Sequence, residues 1–446
     1  MARASFIPHH NGDRREMLAA IGAGSIDELF KDIPAALQVA AVNIPNGQSE
    51  IEVIRNVKAL AARNRTELVC FLGAGFYDHY RPAAVDAILT RGEFLTAYTP
   101  YQPEVAQGTL QAAFEFQSGI CRLTEMDVAN ASLYDGGTAI YEAAMMAARV
   151  TGRSKVMVDQ GVNPIYRKML RSYTSNLEMA FEEVPTRDGV VDRVKLVQSL
   201  DRTVAGVVLQ NPNFFGCVDD LTDVIEAIHA VGALAIVSVY PISLGLLKTP
   251  GAMGADIVVG EGQSLGLALN FGGPYVGFMA TRKALVRKMP GRIVGMTHDA
   301  SGRRGFVLTL QAREQHIRRE KAMSNICTNE NLCALAATVY LALLGKQGLQ
   351  DVAQLCADNA SYAIHRLLEI PGVKRSFEAI FFNEFCISLP RDARDVIGEL
   401  VDRGYAAGFP VGRYYAGMEN VALIAVTELR TKEEIDGLAA ALEAVI

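Results

Sequence analysis

The sequence predicts an α/β protein built on a large, mostly parallel sheet, with a helical arm before it and a smaller α+β domain after it. Between residues 100 and 285, short apolar runs alternate with helix-like segments. The runs lack the alternation of half-exposed strands, which indicates strands covered by helices on both faces. The first residues carry only helix signals. We therefore expect an arm over 1–65, a large domain over 66–328, and a long linking helix with a small domain over 329–446.

The arm contains two predicted helices. One begins in the charged segment 13–18, and another begins after Ser49, because Ser49 and Glu52 form a capping box. One face of this second helix is apolar and carries Ile51, Ile54, Val57 and Leu60. An apolar run at 68–72, closed by Gly73 and Gly75, predicts the first strand after the arm.

Six apolar runs predict the strands of the large domain: 155–159, 177–185, 204–210, 233–240, 255–260 and 275–280. A helix-like segment at 221–231 separates two of these runs, and further helices are predicted from Pro103 and after Asp135. Ligands bind in the crevice at the carboxyl ends of such strands, so the loops that follow them are candidate site segments.

The last part of the chain predicts a long helix and a small domain. Thr328 precedes the long apolar helix as its expected cap, and Gly345 fits its C-terminal end. Strands near 384–389 and 421–427 follow, with a helix near 392–403 between them. Thr431 and Glu434 form a capping box that begins a closing helix.

The composition limits the classes of function. Half of the 446 residues are hydrophobic and 21% are charged, which suits a protein with a large core. The net charge of -6 argues against general nucleic-acid binding and against docking on anionic lipid, since both need a basic surface. The N-terminal residues lack the apolar segment of a secretory signal, and the uncharged stretches 227–247 and 262–281 contain breakers that a membrane-spanning helix does not tolerate. We expect a cytoplasmic protein.

The seven cysteines are scattered along the chain and form no CxxC pair. In a chain without a secretory signal, this pattern indicates reduced cysteines that lie mostly in the core. Their spacing predicts no metal site.

The turn Asp135-Gly136-Gly137-Thr138 opens a predicted helix. Two glycines and a hydroxyl at this position can present free N–H groups to a phosphate. Asp135 can equally be the helix N-cap, and its charge would oppose a phosphate. Both interpretations stay open on the residues alone.

Two polar loops are candidate site segments. The segment 98–104 holds two tyrosines, an amide and a carboxylate, although a proline-stiffened turn with packed tyrosines is the alternative. The segment 324–329 follows a basic stretch, and helix capping by Thr328 leaves Ser324 and Asn325 unexplained. We expect Cys327 to be a small buried side chain rather than a nucleophile, since no histidine lies beside it in sequence.

Two further segments have weaker signals. The loop 261–266 follows an apolar strand at the ligand-binding end of the sheet, but it contains no Lys, His or Asp. The run from Arg303 to Lys321 is strongly basic and predicts a solvated or interface surface.

Taken together, these segments closely resemble the glycine decarboxylase P-protein of the glycine cleavage system, and within it the N-terminal-half subunits of the two-subunit form. The resemblance covers nearly all 446 residues. Its motifs are 13–18 with 25–30, 98–104 with Gln107-Gly108, 135–138, Asn270-Phe271-Gly272-Gly273-Pro274, and 324–328. It implies a fold-type I pyridoxal phosphate architecture. It also implies a reaction in which glycine loses its carboxylate as CO2 and its aminomethyl group passes to the lipoyl arm of H-protein.

Two residues that the resemblance requires are missing. Fold-type I enzymes need a lysine for the Schiff base with the cofactor and an aspartate beside its pyridine nitrogen. Gln263 stands at about the expected lysine position, and the strand that is expected to end in an acid ends in Ser238-Val239-Tyr240. Lys248 is the nearest lysine, and we expect it at the surface.

The resemblance implies that a homologous partner, glycine decarboxylase subunit 2, binds pyridoxal phosphate covalently in an α2β2 heterotetramer. This chain would then complete the partner's site. The residues expected to reach the partner's cofactor or glycine pocket are Tyr98, Tyr101, Gln102, Ser324, Asn325 and Thr328. Gly136, Gly137 and Thr138 would form a cofactor-type turn, whether or not it still binds an anion. Glycine and lipoylated H-protein are the other expected partners, and the basic run 303–321 is a candidate surface for H-protein.

Two other interpretations stay open at this point. A stand-alone pyridoxal phosphate enzyme, such as an aminotransferase or a desulfurase relative, would need an internal lysine, for which Lys248 is the nearest choice. A non-catalytic scaffold of a pyridoxal phosphate enzyme would not need the polar density of 98–104 and 324–328.

Overall fold

The computed structural model describes residues 8–39 and 42–446. The chain divides into two compact units, Met1–Thr66 and Glu67–Ile446. Residues 1–7 and 40–41 of the predicted arm lie outside the described residues.

The described residues of the first unit form two helices, α1 (Asn11–Ala20) and α2 (Glu50–Ala61). Short 3-10 turns lie between them at Asp27–Phe30 and Ala35–Leu37. The Ser49 backbone N–H donates to Glu52 Oε2 at 2.7 Å, which confirms the predicted capping box. The apolar residues of α2 are all exposed, and they are Ile51, Val53, Ile54, Val57 and Leu60.

The second unit contains the sheets of the protein. Its strands are β1 (Val69–Cys70), β2 (Val128–Ala129), β3 (Lys155–Asp159), β4 (Ala180–Val184), β5 (Thr186–Arg187), β6 (Val190–Val191), β7 (Val204–Asn211), β8 (Leu234–Val239), β9 (Ile257–Glu261), β10 (Gly277–Thr281), β11 (Ile293–His298), β12 (Arg304–Thr309), β13 (Lys374–Arg375), β14 (Glu384–Ser388), β15 (Tyr405–Ala406), β16 (Phe409–Pro410) and β17 (Val421–Ala425).

The helices of this unit cover the sheets and connect them. They are α3 (Ala83–Leu89), α4 (Gly92–Leu95), α5 (Gln107–Thr124), α6 (Gly136–Thr151), α7 (Pro164–Tyr173), α8 (Arg193–Ser199), α9 (Thr222–Ala230), α10 (Pro250–Met253), α11 (Gln315–Arg318), α12 (Asn331–Leu368), α13 (Ala393–Val401) and α14 (Lys432–Glu443).

The central sheet has seven strands in the order β2-β10-β9-β8-β7-β3-β4. The five strands from β9 to β4 are parallel, which confirms the mostly parallel sheet. β10 is antiparallel to both of its neighbours, because the chain returns from β9 through the loop 262–276 without a crossover helix.

Alternate residues of the central strands enter different hydrophobic clusters. Val207, Val237 and Val258 pack on one face of the sheet. Val208, Ile236 and Val259 pack on the other. Both faces are therefore buried, as the non-alternating apolar runs predict.

The small C-terminal domain has an antiparallel sheet in the order β13-β14-β17-β16. The strand predicted at 68–72 is shorter, and it pairs in parallel with β15, with Val69 opposite Tyr405. Phe71 likewise packs in the hydrophobic cluster of the small domain. The first strand after the arm thus joins the C-terminal part of the chain.

Two helix starts differ from the predictions. The helix expected from Pro103 begins at Gln107, whose side-chain amide donates to the Pro103 carbonyl at 2.6 Å and closes a turn first. The helix expected after Thr328 begins at Asn331. The Glu330 N–H donates to the Ser132 hydroxyl at 3.0 Å, and this bond keeps residues 328–330 outside the helix. The prediction that Thr328 caps the helix is therefore wrong.

Helix α12 contains a break at Gly345, where φ is 59° and ψ is -167°. The first helical segment ends there as predicted, but a second segment follows immediately. Taken as one element, α12 has the length and hydropathy of a membrane span. The break leaves a first segment of about 14 residues, or roughly 21 Å, against a hydrocarbon thickness of about 30 Å. Its inner face packs in the core with Tyr340 and Ala336.

Candidate functional site

The crevice at the carboxyl ends of β7, β8 and β9 is filled by the segment 73–80, which follows β1. The centre of this contact is Tyr77. Its backbone N–H donates to Gln263 Oε1 at 3.0 Å, and its carbonyl accepts from Gln263 Nε2 at 3.0 Å. The chain itself thus occupies the place where ligands bind in open parallel sheets.

Gln263 lies two residues after β9 and is only 1% exposed. Besides its bonds to Tyr77, its Nε2 donates to the Leu267 carbonyl at 2.9 Å. Both N–H groups of the amide and its oxygen are therefore engaged within the chain. This residue holds the loop closed and leaves no group free for a cofactor.

The Tyr77 side chain connects the crevice to the small domain. Its hydroxyl donates to Glu384 Oε2 at 2.8 Å, and the Ala74 N–H donates to Glu384 Oε1 at 2.6 Å. Burial raises the pKa of Glu384 to about 7, against the opposing hydrogen bonds from Ala74 and Tyr77. The Tyr77 ring also packs on Tyr240, with centroids 4.3 Å apart.

The start of α6 is occupied by carboxylates of this chain. Asp135 is the N-cap, since its Oδ1 accepts from the Thr138 N–H at 2.7 Å. The Gly136 N–H donates to Glu261 Oε2 at 2.9 Å. Burial raises the pKa of Glu261 to about 8, opposed by that bond from Gly136. The capping interpretation of the turn is confirmed.

Space at the turn is equally limited. A Cβ at Gly136 would lie 3.0 Å from the Tyr166 hydroxyl, and one at Gly137 would lie 2.6 Å from the Met169 sulfur. Both glycines are needed because neighbouring side chains, rather than a ligand, lie against them.

Pyridoxal phosphate does not fit this crevice. Gln263 stands where a Schiff-base lysine is expected, and the segment after β8 offers Tyr240 in place of an acid. The N–H groups at the start of α6 already bind Asp135 and Glu261, so they are not available to a phosphate.

Lys248 lies at the surface, as predicted. Its Nζ is 2.7 Å from the Thr222 hydroxyl and 3.2 Å from Asp220 Oδ2, at the start of α9. This lysine is engaged with surface groups outside the crevice.

The structure brings the two polar loops together. The hydroxyls of Thr99 and Thr328 are 3.4 Å apart. The buried Arg292 lies between the loops, with its guanidinium 5.6 Å from the Tyr101 ring centre. Its Nη1 donates to Asn329 Oδ1 at 2.8 Å. Segments more than 200 residues apart thus form one surface, which we call the loop surface (98–104 and 324–329, joined by Arg292).

Three residues that join or adjoin the loop surface are not predicted as site residues by the sequence. They are Arg292, Glu314, whose Oε2 is 3.8 Å from Arg292 Nε, and His316, whose ring is 5.4 Å from that of Tyr101. Glu314 and His316 lie inside the basic run 303–321, which predicts only a solvated or docking surface. A histidine and an acid within a cationic segment were the available signal.

Ser324 makes its hydrogen bond inside the chain. Its hydroxyl donates to Glu142 Oε1 at 2.7 Å and accepts from the Ile326 N–H at 3.0 Å. Glu142 is buried on α6, and burial raises its pKa to about 7, opposed by Ser324 and Arg149. Ser324 therefore ties the loop surface to the helix that begins at Gly136.

Four of the predicted site residues on the loop surface are exposed. Tyr98 is 82% exposed and Tyr101 is 46% exposed, and Gln102 and Asn325 are exposed as well. Cys327 is also exposed, so the expectation that it is buried is wrong. Its backbone carbonyl accepts from Arg292 Nη2 at 3.2 Å, and this contact fixes the loop with the thiol pointing away from the core.

Comparisons with known proteins identify the family of this chain. The family model described as "Glycine cleavage system P-protein" matches residues 4–442. A curated relative from Geotalea uraniireducens, named probable glycine dehydrogenase (decarboxylating) subunit 1, is 57% identical over 99% of this chain and 100% of its own length.

Two solved structures are similar to this one. A crystal structure of glycine decarboxylase (P-protein) of the glycine cleavage system, in inhibitor-bound form, has a TM-score of 0.93 and 46% identity, covering 99% of this chain and 100% of that one. A sphingosine-1-phosphate lyase from Burkholderia pseudomallei has a TM-score of 0.66 at 14% identity, covering 93% and 94%, and shows the fold alone. The predicted fold-type I architecture is confirmed. The chain belongs to the glycine cleavage system P-protein family.

Proposed function

We propose that this chain is the subunit of glycine decarboxylase that completes an active site whose pyridoxal phosphate is bound covalently by a second subunit. The observation that carries the proposal is the pair of hydrogen bonds between Gln263 and the Tyr77 backbone. A crevice closed by its own loop cannot hold the cofactor, whereas the family's reaction needs one. A second subunit must then supply it.

The loop surface is the part of this chain that suits such a role. It combines exposed hydroxyl and amide groups with the cation of Arg292 behind the Tyr101 ring. Hydroxyl and amide groups can bind a phosphate or a carboxylate without titrating. Tyr98, Tyr101, Gln102 and Asn325 would contact the cofactor or glycine, while Ser324 and Thr328 hold the loops in position.

The arm supports a protein partner. Helix α2 exposes five apolar side chains, and Ile51 and Leu60 are both at least 60% exposed. Burial of such a face against a second subunit would be favourable, at roughly 25 cal/mol for each Å² removed from water. The proposed assembly is an α2β2 heterotetramer in the cytoplasm, and lipoylated H-protein accepts the aminomethyl group.

A stand-alone pyridoxal phosphate enzyme is not supported, because Lys248 is engaged with Asp220 and Thr222 at the surface. A pure scaffold is disfavoured by the outward-facing tyrosines and amides of the loop surface, which no packing requirement explains.

The test uses the chain alone and the chain mixed with its second subunit. We expect the lone chain to show no visible absorption of a lysine imine and no cofactor trapped by borohydride. Glycine–CO2 exchange with H-protein should appear only in the mixture. Trapping of the cofactor on a lysine of the lone chain would overturn the proposal.

The double variant Tyr101→Phe, Ser324→Ala tests the loop surface itself. We expect it to assemble normally and to lose at least about tenfold in exchange activity, within the range of lost positioning contacts. The matched control is Tyr173→Phe with Ser301→Ala, two residues that are exposed outside this surface. Equal activity of the two double variants would remove the loop surface from the proposed site.

A further inference from the structure

Three side chains that are distant in sequence place ligand atoms together beside the closed crevice. They are His79, Cys356 and Glu428, whose nitrogen, sulfur and oxygen atoms all lie within 4.8 Å of one another. His79 Nδ1 is 2.7 Å from Glu428 Oε2, and Cys356 Sγ is 3.4 Å from the same oxygen. We propose that these residues form a binding site for a divalent transition metal ion of the zinc class.

The three ligands come from separate parts of the fold. His79 belongs to the segment that fills the crevice, Cys356 lies in the second part of α12, and Glu428 follows β17 of the small domain. The side chains of His79 and Glu428 are 3% and 9% exposed, and Cys356 is fully buried. An ion held here would link the large domain, the long helix and the small domain.

The chemistry of the three groups favours zinc over hard cations. A thiolate and an imidazole are ligands for Zn²⁺, whereas Mg²⁺ and Ca²⁺ take oxygen ligands. In a tetrahedral site with bonds of about 2.0–2.3 Å, neighbouring ligand atoms lie roughly 3.3–3.6 Å apart. The distance from Cys356 to Glu428 already meets this condition, and the distance from His79 to Glu428 needs to open by about half an ångström.

Outer hydrogen bonds hold the ligands in place. The second ring nitrogen of His79, Nε2, bonds to the Tyr240 hydroxyl. The second oxygen of Glu428, Oε1, accepts from the Tyr80 N–H at 2.7 Å. Metal-bound histidines and carboxylates commonly have such partners, which orient the ligand without touching the ion. With Nδ1 on the metal, Nε2 carries the ring proton and donates it to Tyr240.

An open cavity adjoins one of the three ligands. Glu428 lines this cavity of about 260 Å³, together with Tyr80, Tyr340 and Leu344. The cavity provides a route by which an ion and a water ligand would reach Glu428. Three protein ligands with one open position is an arrangement that zinc accepts.

Metal uptake is balanced by the loss of one proton. Burial raises the pKa of the Cys356 thiol, and the neighbouring Glu428 raises it further, so the thiol is protonated before the ion enters. Formation of the metal–sulfur bond releases that proton to water. No oxidant or reductant takes part.

The spacing of the cysteines gives no indication of this site. Spacing rules detect ligands that are close along the chain, such as CxxC pairs. Here His79 and Cys356 are 277 residues apart, and Cys356 and Glu428 are 72 residues apart. Only the fold brings them together.

The test is a titration of the full chain with Co²⁺ after treatment with a chelator. We expect one ion per chain, a thiolate-to-cobalt charge-transfer band, and the intense d–d bands of four-coordinate cobalt. Added Zn²⁺ should remove these bands and raise Tm. Absence of the charge-transfer band would overturn the proposal and leave a hydrogen-bonded cluster of His79, Cys356 and Glu428.

Variants separate this site from other thiols. Cys356→Ser should abolish the charge-transfer band, and Glu428→Gln should keep it but weaken Co²⁺ binding at least about tenfold. Cys327→Ser removes the exposed thiol and should leave the titration unchanged. Loss of the band in Cys327→Ser, or its survival in Cys356→Ser, would disprove the site. Should Cys356→Ser not fold, the change in affinity of Glu428→Gln decides the question.

Discussion

The side-chain amide of Gln263 pairs with the backbone of Tyr77 in both directions, accepting from its N–H and donating to its carbonyl, each at 3.0 Å. This pairing closes the crevice that a fold-type I enzyme uses for its cofactor. An amide can both accept from and donate to the backbone of the loop, whereas a lysine ammonium can only donate.

The first prediction concerns this pairing. Gln263→Lys should not create a cofactor-binding chain, because an ammonium cannot accept from the Tyr77 N–H and would be buried where the side chain of Gln263 bonds only to backbone groups of Tyr77 and Leu267. We expect a loss of about 3–5 kcal/mol in the free energy of unfolding. Urea denaturation measures the loss, and borohydride treatment with pyridoxal phosphate should trap nothing.

The matched control for this variant is Gln354→Lys, which places the same change on the exposed surface of α12. It should alter the free energy of unfolding by no more than about 0.5 kcal/mol. A trapped imine in Gln263→Lys would mean that the loop 73–80 opens readily.

The second prediction concerns Glu142, whose pKa burial raises from 4.5 to about 7. Stability from this group is fully present below the unfolded-state value and is lost as the pH rises through about 7. Each unit of the shift corresponds to about 1.4 kcal/mol. Glu142→Gln stays neutral, so the free energy of unfolding of the wild type should fall relative to this variant between about pH 5 and about pH 8.

Urea denaturation of both proteins at each pH provides the measurement. Glu115→Gln changes an exposed glutamate on α5 and serves as the control, which should follow the wild type throughout. Parallel pH profiles of wild type and Glu142→Gln would show that Glu142 ionises normally in the folded chain.

The third prediction concerns Arg292, which joins the two polar loops. Arg292→Lys keeps the charge but loses the planar fork that reaches Asn329 and the Cys327 carbonyl. We expect a loss of about 1–3 kcal/mol in stability. Exchange activity of the assembled enzyme should fall at least about tenfold, because the loops are no longer fixed.

Arg413→Lys is a close match for this change, since Arg413 also lies over an aromatic ring, that of Tyr414, but is exposed. Its exchange activity should equal that of the wild type. If both variants lose the same activity, the effect belongs to cationic surface in general and the role of Arg292 is disproved.

The fourth prediction concerns the apolar face of α2. Val57→Asp should leave the Tm of the lone chain unchanged, since Val57 is 57% exposed there. Affinity for the second subunit should fall by about 10–100-fold, because a carboxylate would replace a buried apolar contact. Analytical ultracentrifugation or calorimetry measures the affinity. Asn56→Asp on the neighbouring face is the control, and an equal effect in both variants would refute a packed apolar interface.

Most of the architecture was predictable because it depends on local patterns. The apolar runs of the central strands and the capping boxes at Ser49 and Thr431 involve residues within a few positions of each other, and all three features are confirmed. The start of α12 could not be predicted, because Glu330 binds Ser132, which lies almost 200 residues earlier. This bond determines where the helix begins, in place of the cap expected at Thr328. The residues around Glu330 in the sequence do not indicate that Ser132 is its partner.

The residues of the candidate site also fall into those that local sequence predicts and those that only the fold brings together. The two polar loops were visible in the residues themselves, whereas the lysine expected near Gln263 came from the family resemblance. Arg292, Glu314 and His316 were not identified, because each acquires its role from contacts across the fold. The burial of Cys327 was predicted wrongly, since a carbonyl contact of its backbone, rather than its side-chain type, determines its exposure.

The sequence by itself determined the α/β class and the mostly parallel sheet, and its resemblance to the family put Gln263 at about the position where a lysine is expected. The α/β class and the sheet depend on residue type and periodicity, which are local properties of the sequence. Only the tertiary structure decided that Tyr77 fills the crevice, that Glu261 occupies the start of α6, and that His79, Cys356 and Glu428 meet. Contacts between distant segments form when the whole core closes, because their free energy depends on the burial and orientation that the complete fold imposes.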